Sequence, residues 1–155
     1  MDKLEYIPGD LVMTNGVPLG TAEDVVYRVS DSDPSKTLKL DNGTVLKGAV
    51  RLDNLEDAKF GDKGYLLGDC GAWVKDIVPI ALTQEILKKN GWICKKGALY
   101  DVYKKDIYTI LEFVREEGVF NVCVGRNNYI IRRVMYVHQL QHLLFGLGIN
   151  HEMEV

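Results

Sequence analysis

Two histidines, His138 and His142, lie in the stretch Tyr136-Val137-His138-Gln139-Leu140-Gln141-His142-Leu143. On a helix that spacing stacks both imidazoles on one face, one turn apart, where they can chelate a transition metal. Position 139 is Gln, so the general-base carboxylate of a zinc-protease helix is missing, and only His151 offers another imidazole. A polar helix flank or a subunit contact is the plainer reading, and no metal is expected there. A second constellation lies just before it, with Arg126, Arg132 and Arg133 beside Asn127, Asn128, Tyr129 and Tyr136. Guanidinium groups grip phosphate by fork geometry, and aromatic rings stack on bases. Arg126, Asn128, Tyr129, Arg133 and Tyr136 therefore make a candidate pocket for a nucleotide-sized anion. The competing reading is a solvated hairpin with its charges outward. Arg132 and Arg133 are adjacent, so on a strand they face opposite ways and cannot both line one pocket.

Other reactive arrangements are missing from the sequence. There is no G-x-G-x-x-G or G-x-x-x-x-G-K-[ST] phosphate loop and no serine elbow. Glu112, Glu116 and Glu117 read as surface carboxylates. A Cys94 or Cys123 nucleophile paired with His138 has only composition behind it. The chain is expected to be non-enzymatic and to need no cofactor. Cys70, Cys94 and Cys123 are odd in number and widely spaced, which reads as isolated reduced thiols.

These residues must be positioned by a chain of 155 residues, 46% apolar and 26% charged, ordinary values for a globular protein. The net charge of -3 is unevenly spread. Residues 1–79 carry nine basic and fourteen acidic side chains, and residues 80–155 carry ten and eight. An acidic first half excludes general nucleic-acid binding, which needs a basic face. No apolar run reaches the roughly 20 residues that cross a bilayer, so no membrane association is expected. Met1-Asp2-Lys3-Leu4-Glu5-Tyr6 lacks the order of a secretion signal, so a cytoplasmic location is expected.

Residues 1–80 read as short strands with frequent turns, punctuated by Asp41-Asn42-Gly43, a strong hairpin signal. Strands are expected near Leu11–Met13, Val25–Val29, Ala49–Leu52, Gly64–Leu67 and Trp73–Ile80, which together suggest a small SH3-like β-barrel. Residues 81–155 begin with a short helix capped by Thr83 and stopped at Gly91. Four alternating segments follow, Ala98–Tyr103, Ile107–Val114, Val119–Cys123 and Tyr129–Val134, an antiparallel meander. A helix from about Tyr136 to Leu147 carries an apolar stripe of Tyr136, Val137, Leu140, Leu143, Leu144 and Leu147 that can cover the meander. Ile149–Val155 is expected to add an edge strand. Phe120 and Val122 point one way and Val119 and Cys123 the other, so both faces of the third segment need cover. The fold class is thus α+β, and a homo-oligomer is expected.

Two blocks, Ile77-Val78-Pro79-Ile80-Ala81-Leu82-Thr83-Gln84-Glu85-Ile86-Leu87-Lys88-Lys89-Asn90-Gly91-Trp92 and Tyr136–Leu143, carry a family resemblance, joined by the opening Pro8-Gly9-Asp10-Leu11-Val12. In these blocks the chain resembles a family of small uncharacterised proteins from bacteriophages and mobile elements of gut bacteria. In that family the position of His142 is often Asn, which implies neither catalysis nor metal binding there. The resemblance implies a phage-encoded binding protein working in the host cell cytoplasm. Joined to the Arg/Asn/Tyr cluster, its sharpest form is an anti-defence sponge that sequesters a small nucleotide immune signal. The alternatives are a protein-interaction adaptor, with a host protein as partner, and a metal-dependent hydrolase built on the two histidines.

Overall fold

Asn42 and Gly43 turn the chain between the two longest strands, with Gly43 at a φ of 88° that suits a residue lacking Cβ. Leu40 donates its N–H to the Thr44 carbonyl at 2.8 Å and so closes the hairpin. In this computed structural model, which describes residues 6–105, 110–124 and 129–155, the chain divides into two units, 1–80 and 81–155.

The first unit is an antiparallel sheet of β1 (Leu11–Thr14), β2 (Tyr27–Lys39), β3 (Val45–Asn54), β4 (Cys70–Trp73) and β5 (Ile77–Pro79), ordered β4-β3-β2-β1-β5. Tyr27 and Val29 of β2 and Val50 and Leu52 of β3 alternate into a core shared with Tyr6, Val12 and Ile77. The strand expected at 25–29 continues to Lys39 through a polar run containing Pro34. Pro34 has no N–H to give a ladder, and the pairing slips there: Asp33 faces Ala49 and Thr37 faces Lys47. Three residues of β2 thus oppose Gly48 alone. Gly48 sits at φ 82°, and a Cβ there would stand 3.0 Å from Val74 Cγ2.

The expected SH3-like barrel is not closed. Edge strands β4 and β5 pair only with β3 and β1, leaving an open five-stranded sheet among the described residues. Gly64–Leu67 is loop rather than strand. Leu66 is instead stitched to one side chain: its N–H donates to Asn54 Oδ1 at 2.8 Å, and its carbonyl accepts from Asn54 Nδ2 at 2.7 Å.

The second unit opens with α1 (Gln84–Lys89). Thr83 Oγ1 accepts the Ile86 N–H at 3.2 Å at its start, and Gly91, at φ 84°, lets the Trp92 N–H return to the Leu87 carbonyl at 3.0 Å. The meander has five strands, one more than expected: β6 (Ile93–Lys96), β7 (Tyr100–Lys104), β8 (Ile110–Val114), β9 (Val119–Val124) and β10 (Tyr129–Val134). Each pairs antiparallel with the next. The helix α2 spans Val137–Gly146, and the Gln139 side chain accepts the N–H groups of Met135 and Tyr136 at its entrance.

Residues 149–155 form no strand. They run past α1, where Asn90 exchanges two hydrogen bonds with the Glu154 backbone and Lys89 Nζ donates to the Val155 carbonyl. No helix among the described residues is long and apolar enough to cross a membrane. The α+β class therefore holds: two antiparallel sheets with a C-terminal helix.

Register separates the two faces of the meander. Tyr103, Leu111, Phe120, Val122 and Val134 share one face and are buried, matching the buried stripe Val137, Leu140 and Leu144 of α2. The opposite face carries exposed Ile93, Lys95, Tyr100 and Lys104 toward β6 and β7. At β8 and β9 that face carries Glu112, Asn121 and Cys123.

Candidate functional site

The slip between β2 and β3 opens a groove of about 340 Å³ on the first unit. Trp73 forms its aromatic wall, with Asp31, Asp33 and Lys36 from β2 and Arg51 from β3 around it. Three-on-one pairing bends β2 outward here, so a local backbone irregularity makes the concavity. Trp73 faces Ala49 across the β3–β4 ladder, which sets its ring beside the bulge. Lys36 Nζ lies 5.9 Å from the Trp73 ring centre, within reach of a cation–π attraction. Arg51 is ion-paired with Asp69, a surface contact of small net worth that a ligand can exchange. The groove joins one flat apolar surface, two cations and two carboxylates, and its volume falls within the range of small-molecule sites.

Nothing in the sequence singles these residues out. Trp73 reads only as a strand residue, and Pro34, inside the polar run of β2, is a local signal of irregularity that the strand pattern alone does not use.

The expected nucleotide cluster lies elsewhere. Arg126, Asn127 and Asn128 are outside the described residues, and of Tyr129 only the backbone, paired with Val124, is described. Arg133 is exposed and ion-paired with Glu117 at 2.9 Å. Tyr136 occupies the cap of α2 and stacks on His138, with ring centres 5.9 Å apart. Arg133 and Tyr136 thus each have another partner, Glu117 and His138. Arg132 faces Val122 and Arg133 faces Asn121, so the two guanidinium groups do leave the strand on opposite sides.

His138 and His142 meet edge to face at 5.6 Å, and His151 lies against Phe145 at 5.1 Å. His138 is buried, the position of a packed aromatic more than of an open ligand. Among the described residues no three His, Cys, Asp or Glu side chains gather in a metal-binding arrangement.

Glu112 overturns its reading as a surface carboxylate: it is 7% exposed. Its carboxylate lies beside the Cys123 thiol, whose Sγ faces the Asn121 main-chain carbonyl at 3.9 Å. Burial and this carboxylate together push the Cys123 thiol up to about 12. Cys123 is therefore a protonated thiol at neutral pH, the opposite of an activated nucleophile. Cys70 is likewise raised by burial. Cys94 and Cys123 project from opposite faces of the meander, so they cannot pair as a disulfide.

No protein-family model, curated protein or solved structure matches the chain.

Proposed function

We propose that this protein is a non-catalytic binding protein of phage or mobile-element origin that captures a small ligand in the cytoplasm of its host. The observation that carries the reading is the Trp73 groove, where an aromatic plane stands beside Lys36 and Arg51 in a volume that suits a mononucleotide-sized ligand. A base stacks on the ring while the two cations meet its phosphate. The sharpest form of the proposal is sequestration of a nucleotide immune signal. On this reading the ligand site belongs to residues 1–80, and the Arg126–Tyr136 segment has no necessary part in it. The long bent β2 also supports reading residues 1–80 as an opened SH3-like barrel. The homo-oligomer is likewise kept as a proposal, supported by the exposed apolar residues Ile93 and Tyr100 on the outer face of the meander.

Calorimetry against cyclic and ADP-ribose-type nucleotides tests the sponge, with chromatography of the recovered ligand. We expect heat of binding and unaltered ligand. Trp73→Ala should weaken affinity about 10- to 100-fold, the worth of one base–aromatic stack. Absence of heat across the panel removes the nucleotide form, and a chemically changed ligand removes the non-enzymatic one.

A second reading has one observation in its favour. Lys36 already rests over Trp73 with Asp31 and Asp33 nearby, so the groove also fits a lysine or arginine side chain of a host protein. An adaptor of this kind gives no heat with nucleotides, yet it binds basic peptides and loses them in Trp73→Ala. The hydrolase on His138 and His142 gains no support from the buried, ring-packed position of His138.

A further inference from the structure

On the face of the meander opposite Tyr103 and Leu111 sit three buried polar side chains that a purely structural role does not explain. Glu112 and Asn121 lie directly opposite each other in the β8–β9 ladder, and Cys123 follows Asn121 on the same face. They are 7%, 5% and 0% exposed. Cross-strand neighbours on one face stand close enough for such side chains to converge on one atom. The thiol Sγ donates to the Asn121 main-chain carbonyl at 3.9 Å with the Glu112 carboxylate beside it, but Asn121 Oδ1 is buried with no hydrogen-bond partner. Leaving a buried acceptor unsatisfied is destabilising, and an apolar residue at 121 would avoid that cost. The guanidinium opposite Asn121, that of Arg133, is held by Glu117 instead.

The chemistry of the three groups is complementary to a cation. A carboxylate, an amide oxygen and a sulfur all offer lone pairs, with a single thiol proton among them. Hard cations such as Mg²⁺ and Ca²⁺ prefer all-oxygen shells, whereas a mixed oxygen and sulfur set suits a borderline-soft ion. We propose that Glu112, Asn121 and Cys123 bind a thiophilic divalent cation of the Zn²⁺ class, through the carboxylate, the amide oxygen and the thiolate. Binding forms the metal–sulfur bond and releases the thiol proton to solvent. The two anions then balance the charge of the ion, and Asn121 Oδ1 gains its partner. Three protein donors leave one coordination position without a protein ligand, as in zinc sites that are not closed by a fourth side chain.

The test is titration of the full chain with Cd²⁺ under reducing conditions, read by sulfur-to-metal charge-transfer absorption, with Zn²⁺ as competitor. We expect one equivalent bound and displaced by Zn²⁺. The band should vanish in Cys123→Ser and persist in the Cys70→Ser/Cys94→Ser double variant. Glu112→Gln and Asn121→Leu should each weaken binding at least about tenfold. Trp73→Ala should leave it unchanged, which separates this site from the groove. A band that survives Cys123→Ser, or no band at millimolar Cd²⁺, overturns the proposal. Cadmium-113 resonance of the unaltered chain reads the donor set without any variant, and an all-oxygen shift is equally fatal.

Discussion

Gly64→Ala is expected to lower stability by about 3 kcal/mol or more. Gly64 has φ +71°, where an L-residue costs about 1–2 kcal/mol. An added Cβ would stand 2.4 Å from Tyr27 Oη, 3.0 Å from Ala22 Cβ and 3.1 Å from Val25 Cγ2. Tyr27 cannot retreat, because its ring is fully buried in the core of the first unit. Its hydroxyl is also committed, donating to the Gly64 carbonyl at 2.7 Å and accepting the Ala22 N–H at 3.0 Å. Moving it breaks both bonds, at about 1 kcal/mol each.

Gly43→Ala is the control, since Gly43 has φ +88° but nothing within 4 Å of a Cβ. It should show the conformational cost alone. Urea unfolding of both variants measures the difference, and equal midpoints would show that Tyr27 yields freely. Combining Gly64→Ala with Tyr27→Phe should cost less than the two single changes summed, because the clashing oxygen is gone. Ligand binding should fail together with stability in Gly64→Ala, because Val50 and Ala72, which line the groove, belong to the same core as Tyr27.

What was legible in the sequence follows from how local each determinant is. Asn42-Gly43 fixes its own turn, and Thr83 with Gly91 marks the ends of α1, because each acts through neighbours within four residues. The period-two alternation of β7 to β10 likewise shows in the chain. β6 does not: Ile93-Cys94-Lys95-Lys96 is four residues with two charges, and it survives as an edge strand, where lysines guard against unwanted pairing. The polar run Asp31–Lys36 reads as loop by composition, yet the alternation of β3 holds it as strand across the ladder.

The groove depends on two such distant pairings, Ser32 with Val50 and Ala49 with Trp73. No window of sequence contains them together. The sequence around Glu112 misleads for the same reason. An isolated Glu in a strand is ordinarily a surface residue, and only its pairing with Asn121 and the Cys123 thiol beside it reveal the buried cluster.

The same cluster makes stability fall steeply in alkali. The Cys123 thiol titrates near 9.0 when unperturbed and at about 12 in the folded chain. Between those values the unfolded chain has lost the proton while the folded one keeps it, so the folded state binds more protons and rising pH favours unfolding. The contribution is fully present below about pH 9 and is lost progressively as pH climbs toward 12. Three pH units correspond to roughly 4 kcal/mol at most, a large share of the stability of a small domain. Tyr103 acts in the same direction, its hydroxyl raised by burial and by the Cys94 thiol, so wild-type protein should unfold more steeply than Cys123 alone accounts for.

Cys123→Ala isolates the thiol. It should cost about 1 kcal/mol at pH 7 through the small cavity left behind, and it should lose less stability than wild type between pH 8.5 and 10.5. Urea midpoints at those two pH values measure the difference of slopes. Parallel loss in both proteins would mean that the thiol leaves its proton near the ordinary value, and that Glu112 and burial do not hold it.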